Sequence, residues 1–562
     1  MYAQLLRAAD RRELDSIAIR SARASSSDVL RAVAVRTLAQ LALTHRNQVL
    51  PSLRSIAGDA ASRYAATASF GLGLARDTAS IPLLAALVRR HGPAARSAAW
   101  ALGEIGAPAR IQISQLLSGT PATRGTGEDS VQVALLLAAA KLRPVDFRAV
   151  QPFLQSRDAL TRWAAAYAIA RQRSPAGARA LLDASQPDAA FRGEVARELT
   201  AKTVADSLDQ PTFARLARLA ADVNPDVRIN AARSLGTYAM RSRGILLGML
   251  HDRDDNVRIA AAQSVATAFG SDSTAWRSAW SADTAYKYRR SLIESATAAG
   301  FPIAADSLWR HSGDWKLRSS ALSAWSASPD TLRARAIALA AVHDPDGRVR
   351  ASAYDVLASS DTARRDSIIQ AALHTALSDP DPVARESLPG YKPVPDSTAS
   401  GRTIQWYQDI VRRVVLPALA GRPARAQLLT SRGEITLQFN ASEAPLTVNN
   451  FATLAVGHYY DHATFHRVVP GFVAQDGDPR GDGNGGPGYS IRDELNLLGY
   501  TRGAVGMALS GPDTGGSQYF LTLTDQPHLD GHYTLFAFVA RGLAPMDAPV
   551  EGDSINAIHI QQ

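Results

Sequence analysis

Cysteine is absent from all 562 residues. That excludes a disulfide framework, a thiolate nucleophile and any zinc site built on sulfur. No apolar run approaches the ~20 residues that cross a bilayer as a helix, so no transmembrane segment is expected. The opening residues, Met-Tyr-Ala-Gln-Leu-Leu-Arg-Ala-Ala-Asp-Arg-Arg, are amphipathic, reach charge at Arg7 and lack the uninterrupted apolar core of a secretory signal. Two compartments fit this start: export to the periplasm with the signal removed, or the cytoplasm. A chain without cysteine avoids stray oxidation, which leans the reading towards export. Lysine is missing from the last stretch as well. From Ala424 to Gln562 there are 7 Arg, no Lys and 14 acidic residues, a net −7, which leaves 54 basic against 38 acidic residues, +16, in residues 1–423. The two parts could contact each other, or the basic part could hold an acidic partner.

A chain of this length exceeds one core, and usual domain sizes suggest about three or four units unless much of it is a repeat array. Residues 1–388 read as such an array. They are rich in Ala, Leu, Arg, Ser and Asp, with apolar residues at helical spacing and short polar breaks. The clearest units are Asn224-Pro-Asp-Val-Arg-Ile-Asn-Ala-Ala-Arg-Ser-Leu-Gly236, Asp254-Asp-Asn-Val-Arg-Ile-Ala-Ala-Ala-Gln-Ser-Val265 and Asp344-Pro-Asp-Gly-Arg-Val-Arg-Ala-Ser-Ala-Tyr-Asp-Val-Leu357. Their Arg228, Arg258 and Arg350 align with Arg31, Arg63, Arg96, Arg162, Arg318 and Arg385, and more loosely with positions near Gln132, Arg192 and Arg289, at steps of 29 to 36 residues. A helical period of that size means a solenoid of about a dozen helix pairs. Asn224, Asp344 and Asp379, each followed by Pro, are expected to cap helices whose first turn accepts the proline. Alanine pairs such as Ala231-Ala232 permit close packing between stacked repeats. The array resembles HEAT repeats of the short bacterial kind, although its period is below their usual ~40–47 residues.

One Arg per repeat also admits a nucleic-acid reading. An Arg beside a capping Asp instead suits a ladder of inter-repeat hydrogen bonds, and no aromatic stacking platform accompanies it. No nucleic acid is therefore expected, and the surface is assigned to a protein client. Residues 389–423 read as a linker and a short helix. Leu-Pro-Gly-Tyr-Lys-Pro-Val-Pro-Asp-Ser-Thr-Ala-Ser-Gly401 is semi-rigid in its first half. Thr403 to Ala420 can form one helix, ended by Gly421-Arg-Pro423, that caps the array or docks the next domain.

Beyond Ala424 the texture changes. Alternation in Ala426–Thr430 and Gly433–Phe439 predicts a hairpin around Ser431-Arg-Gly433. Pro445–Val456 reads as a helix closed by Gly457, and short strands with Gly-rich turns continue to Ile560, the pattern of a closed β-barrel with flanking helices. Within it, Thr464-Phe-His-Arg-Val-Val-Pro-Gly-Phe-Val-Ala-Gln-Asp-Gly477 sets Arg467 and Gln475 around an apolar core. Two short strands with a Pro-Gly break would bring both polar heads to one apolar pocket. Gly506-Met-Ala-Leu-Ser-Gly-Pro-Asp-Thr-Gly-Gly-Ser-Gln-Tyr-Phe520 and His528-Leu-Asp-Gly-His-Tyr-Thr-Leu-Phe536 follow.

In that order the three stretches resemble the cyclophilins, prolyl cis/trans isomerases with Phe-His-Arg-Val-x-Pro-Gly-Phe, Gly-Ser-Gln-x-Phe and Leu-Asp-Gly motifs. The resemblance covers residues 424–562, including Ala444-Pro-Leu-Thr-Val-Asn-Asn-Phe and Gly552-Asp-Ser-Ile. It implies Arg467 as catalytic donor with Gln475 beside it. It also implies a proline pocket of Phe472, Val473, Phe520, Leu529 and Tyr533, with Gln518 nearby, Ala508 and Leu509 beside the substrate backbone, His528 at the edge and Gly483 in the adjacent loop. Four positions depart from the family's common residues: Val473 replaces Met, Leu509 Asn, His528 Trp and Tyr533 His. The Asn position is thought to act through its main chain, Tyr533 keeps an aromatic wall, and the Trp is associated with cyclosporin, so poor inhibition is expected.

Competing motifs carry less. His458, His462 and His466 would form a ligand stripe on a helix, but Gly457 ends the helix before them, and no metal is assigned. Asp476-Gly-Asp478 opens like a calcium loop, yet Arg480 and Pro487 occupy its fifth and twelfth positions. Gly481–Gly488 lacks the strand, helix and Lys of a phosphate cradle. Ser517 has Tyr519 where a hydrolase elbow needs Gly. The expectation is a prolyl isomerase without cofactor, acting on proline-containing segments while the solenoid recruits a client. The alternative is a scaffold whose barrel binds such segments without turning them over.

Overall fold

Alanine and leucine favour helix, and the polar breaks supply caps. The computed structural model describes residues 1–59, 61–119, 131–184, 187–204, 209–301, 308, 310–326, 330–359, 366–381, 384–385, 388 and 401–561. Residues 389–400 of the expected linker lie outside the described residues. The described chain divides into two compact units, Met1–Glu198 with Asp396–Gln562, and Leu199–Pro395.

In the first unit, helices α1 (Tyr2–Arg11), α2 (Asp28–Leu41), α3 (Ala65–Leu74), α4 (Ala95–Ile105), α5 (Val131–Ala140), α6 (Ala159–Ala170) and α7 (Ala189–Glu198) pack each on the next. Small residues let them approach. A Cβ added to Gly71 would lie 2.8 Å from Ala39 Cα, and one added to Gly103 would lie 2.8 Å from Ala138 Cα. The second unit repeats the arrangement in α8 (Pro225–Leu235), α9 (Asp255–Ser264), α10 (Tyr286–Ala298), α11 (Trp315–Trp325) and α12 (Gly347–Ala358). Ala231, Ala232, Ala260, Ala261 and Ala262 are buried between them.

The repeated arginine forms the inter-repeat ladder. Arg228 donates to both carboxylate oxygens of Asp252 at 2.8 Å and to the carbonyl of Asp222 at 2.8 Å. Arg318 treats Asp344 and Ser312 the same way, Arg350 treats Asp379 and Asp344 the same way, and Arg162 and Arg258 reach Asp188 and Asp283. Each guanidinium thus ties the carbonyl six residues before it to the loop of the following repeat. Asn224 caps α8 through Val227 N, with Pro225 in the first turn, as expected.

Asp344 does not match the capping expectation, and the start of the helix expected after Asp379 lies outside the described residues. Asp346 caps α12, while Asp344 and Asp379 accept the guanidinium of the preceding repeat. Loop carboxylates of one type divide between two donors, and those facing the earlier arginine take the charge-assisted bond.

The C-terminal part holds nine strands: β1 (Arg425–Thr430), β2 (Gly433–Phe439), β3 (Ala463–Thr464), β4 (Arg467–Val469), β5 (Val473–Asp476), β6 (Ala504–Met507), β7 (Tyr519–Thr522), β8 (Leu535–Arg541) and β9 (Ser554–Gln561). They form one antiparallel sheet in the order β3-β9-β1-β2-β8-β6-β7-β5-β4. The hairpin closes at Thr430 opposite Gly433, which has φ 124°. The predicted helix is Pro445–Val456. Alternate residues feed two apolar clusters. Ala474, Val505, Tyr519, Leu521 and Phe536 join Phe451 of that helix on one face, and Val473, Ala504, Phe520 and Leu535 gather with Tyr500 and Leu529 on the other.

The early helices and the sheet share contacts. Helix α13 (Ile404–Ile410), continued by a π turn at Val411–Val415 and a last turn at Leu416–Leu419, packs Tyr407 and Ile410 with Ala3, Leu6 and Leu446. Buried Asp10 accepts from Arg402 at 3.0 Å and from the Tyr407 hydroxyl at 2.5 Å. Arg12 pairs with Asp513 at 2.6 Å and Arg36 with Glu443 at 3.0 Å, so basic helices meet the acidic domain. Arg228→Ala is expected to lower the stability of the Leu199–Pro395 unit by about 3–5 kcal/mol in urea unfolding, because it strands the largely buried Asp252 carboxylate. Arg63→Ala, whose side chain is 70% exposed, leaves unfolding unchanged.

Candidate active site

β4 and β5 pair antiparallel with Arg467 opposite Gln475, Gln475 opposite Phe520 of β7, and Phe520 opposite Gly506 of β6. A directly opposed row shares one face of a sheet, so the arginine, the amide and the ring stand side by side across four strands. The Pro470-Gly471-Phe472 turn makes this possible. Gly471 takes φ 68°, and its carbonyl accepts from Thr524 Oγ1 at 2.7 Å and Gln526 Nε2 at 3.1 Å, which pins the turn that carries Phe472.

Polar side chains along the row form a relay. Arg467 Nη1 donates to Gln475 Oε1 at 3.2 Å, Gln475 Nε2 donates to Gln518 Oε1 at 3.0 Å, and Gln518 Nε2 donates to the carbonyls of Gly483 and Gly485 at 2.8 and 2.9 Å. The glycine loop is itself closed on Asp478, whose carboxylate accepts the backbone N–H of Arg480, Asp482 and Gly483. These backbone donors hold the Asp478 carboxyl below its ordinary range against the opposing effect of burial. The exposed guanidinium is therefore oriented through two amides by a fixed loop.

Beneath it lies an apolar cluster. Val473, Phe520 and Leu529 are buried in one cluster with Tyr500, and Phe472, Ala508 and Tyr533 pack at its margin. Phe520 meets Tyr533 edge-on at 5.7 Å and stacks on Tyr500 at 5.6 Å, and His528 stacks on Phe472 at 5.5 Å. The Arg467 guanidinium lies 5.7 Å from the Phe472 ring centre. Ala508 N donates to the Gln518 carbonyl at 2.9 Å. Leu509 stands apart from the others: its side chain packs into the opposite core near Gly515 and Ile491.

Sequence reasoning missed Tyr500 and Gly506. A Cβ at Gly506 would lie 2.4 Å from both Phe520 Cζ and Tyr500 Oη, so the glycine makes room for these two rings. The alternation of β6, which leaves a side-chain-free position opposite Phe520, is the signal that could have found it. His458 and His462 sit in turns with φ 59° and 63°, so their spacing has no helical meaning. Ser517 Oγ donates to the Gly477 carbonyl at 2.6 Å.

Asp476, next to Gln475, points into the opposite core, where it accepts from the Tyr519 hydroxyl at 3.3 Å and burial pushes its carboxyl up to about 7. Its proton is held in the native state up to that pH and released from the unfolded chain near 4, so its contribution to stability falls as pH rises between those values. Thermal melting from pH 5 to 8 is expected to show this decline, and Asp476→Asn to lessen it, since the buried Glu494 carboxyl, also pushed up to about 7, adds a slope of the same sign.

Residues 425–556 match the family model described as cyclophilin type peptidyl-prolyl cis-trans isomerase/CLD, and residues 213–297 match HEAT repeats. A peptidyl-prolyl cis-trans isomerase of Helicobacter pylori is 45% identical over 141 residues, 24% of this chain and 86% of that protein. One from Synechococcus elongatus is 50% identical over 112 residues, 20% of this chain and 77% of the relative. Peptidyl-prolyl cis-trans isomerase B of Bacillus subtilis is 43% identical over 136 residues, 24% of this chain and 95% of its own length. Through this C-terminal segment the chain belongs to the cyclophilin type peptidyl-prolyl cis-trans isomerases.

Proposed function

We propose that the chain accelerates rotation about X-Pro bonds in protein segments, with Arg467 as the catalytic donor and the helical repeats holding the client. The observation that carries this reading is the row Arg467–Gln475–Phe520–Gly506, which sets a cationic donor beside an apolar cluster that a glycine leaves room for. No bond is cleaved. Resonance gives the peptide C–N bond a barrier of ~18–20 kcal/mol, and X-Pro bonds exchange in about tens to hundreds of seconds. In the twisted state the imide nitrogen becomes pyramidal and regains its lone pair. A donor aimed at that nitrogen stabilises the twisted state more than either planar isomer.

The residues divide this work. Phe472, Val473, Phe520, Leu529 and Tyr533 grip the proline ring and exclude water, with His528 extending the wall from Phe472. Gln475 and Gln518 are positioning residues: they occupy one guanidinium N–H and fix the plane of the others. Ala508 and Leu509 offer their main chain to the substrate backbone, and Gly483 supplies the carbonyl that anchors the relay.

On the same reading, the sheet curls into a closed barrel over residues 424–562 and residues 1–388 form a solenoid of HEAT-like pairs, joined by 389–423. The hairpin and the family match both begin at Arg425, in support of that last boundary. A client held on the repeats presents its prolines to the pocket at raised effective concentration.

With the full chain and a short X-Pro peptide, isomerisation is expected to be accelerated. Arg467→Ala should lower kcat/KM by about a hundredfold or more without changing the melting temperature, since the side chain is exposed. A folded parent that leaves the peptide at its uncatalysed rate would sink the proposal.

A further inference from the structure

The loop from Gln526 to Thr534 brings Leu529 and Tyr533 to the apolar cluster of the candidate site. Its ends are tied to the sheet domain. Gln526 N donates to the Tyr500 carbonyl at 2.7 Å and Gln526 Nε2 to that of Gly471 at 3.1 Å, while the Thr534 carbonyl accepts from Met507 N at 3.0 Å. Past Asp530, whose carboxylate accepts Tyr500 N at 2.7 Å, the crest of the loop rests on helical repeats of the same compact unit. Gly531 takes φ 72°, and a Cβ there would lie 2.4 Å from Trp100 Cζ2 of α4 and 3.1 Å from Phe70 Cε2 of α3. His532 Nε2 lies 3.4 Å from Glu104 Oε1, one turn further along α4.

The indole that receives the crest is held by its own repeats. A Cβ added to Gly73 of α3 would lie 2.7 Å from Trp100 Cζ3, so one glycine on each partner makes room for the same ring. Phe70 packs on it at 4.8 Å between ring centres, and Lys141, the first residue after α5, stands 5.1 Å over it. Lys141 also pairs with Glu104. Against the opposing effect of burial, His532 and Lys141 hold the Glu104 carboxyl down to about 2, so an ionised carboxylate is shared between repeat and loop. A second stretch is seated beside the first. Leu495 packs with Phe70 and Ala39, and the chain runs on from it through Leu498 to Tyr500 of the same apolar cluster.

Without the repeats, Gly531 and His532 would form an open crest between tied ends, and ordering such a crest around a ligand costs affinity. A rigid seat removes that cost in advance. We propose that Trp100 and Glu104 are positioning residues for the isomerase site, holding the Gln526–Thr534 loop so that Leu529 and Tyr533 stand ready around the proline ring. The inference rests on the isomerase reading and gives the first repeats a role in the site itself, apart from any client they hold. Leu529 and Tyr533 grip the ring in its planar and twisted states alike, so loss of the seat weakens both equally. Such a loss raises KM and leaves kcat.

In the full chain, kcat and KM would be measured with a short X-Pro peptide. Trp100→Ala should raise KM about three- to tenfold, with the loss falling on KM rather than kcat, and Trp100→Phe, which keeps a ring under Gly531, should restore most of it. Glu104→Gln and His532→Ala each remove the polar contact, and together they should raise KM no further than the larger single change. Additive rises, or the parent's KM in a folded Trp100→Ala, would overturn the proposal. A role in stability alone lowers the melting temperature and leaves KM where it was. Hydrogen exchange gives a readout that needs no turnover. The amides of Leu529 and His532, bonded within the loop at 2.9 and 3.0 Å, should exchange faster in Trp100→Ala and in Glu104→Gln, while those of β7 keep the parent's rate. If the parent does not accelerate the peptide, the isomerase reading fails by itself, and equal loop exchange in parent and both variants would overturn the seat. Should Trp100→Ala fail to fold, Glu104→Gln, which keeps the shape of the side chain, carries both measurements.

Discussion

Antiparallel pairing fixes the phase of every side chain on neighbouring strands, and a slip of one residue sends a whole strand's side chains to the other face. In this sheet the phase of β4, β5, β7 and β6 is the constraint on which the site depends. It puts Arg467, Gln475 and Phe520 on one face while Ala474, Tyr519 and Leu521 close the core on the other. That core, with Phe451 against Tyr460, Tyr519 and Phe536, makes a slipped register expensive. The geometry of the candidate site is thus held by packing on the opposite face of the sheet.

A second ordering principle works along the helices. Arginine recurs because its planar fork can bind a carboxylate on one edge while the remaining N–H groups reach backbone carbonyls, which a lysine ammonium cannot do at both places. Arg228, Arg318 and Arg350 use it in this way.

Much of this was legible in the sequence. The hairpin, the Pro445–Val456 helix and the strand pair around Pro470-Gly471 follow from alternation and turn residues, all local signals, and the helix from Thr403 emerges with its docking role. What stayed hidden depends on position in space. Asp344 and Asp346 are the same residue type two places apart, and only the incoming Arg318 decides which one caps. Leu509 lies just past β6, where the period-two pattern no longer predicts a face. Tyr500 reaches the pocket from a loop with no periodicity. The seat of Gly531 on Trp100 joins residues more than four hundred apart, for which no local pattern exists.

Helix α1 packs against Tyr407 and Leu446, and the bond from Tyr407 to Asp10 spans 397 residues. At the usual ~5–20 residues per second of synthesis, the partners of α1 leave the ribosome about 20–80 s after it does. Until then Leu6 and Ala3 have no sheet domain to cover them, while the repeats between can fold against one another as they emerge. The order of manufacture therefore runs opposite to the order of completion: α1 is made long before the segments that bury it, and a nascent chain stalled before residue 404 carries an open apolar seam.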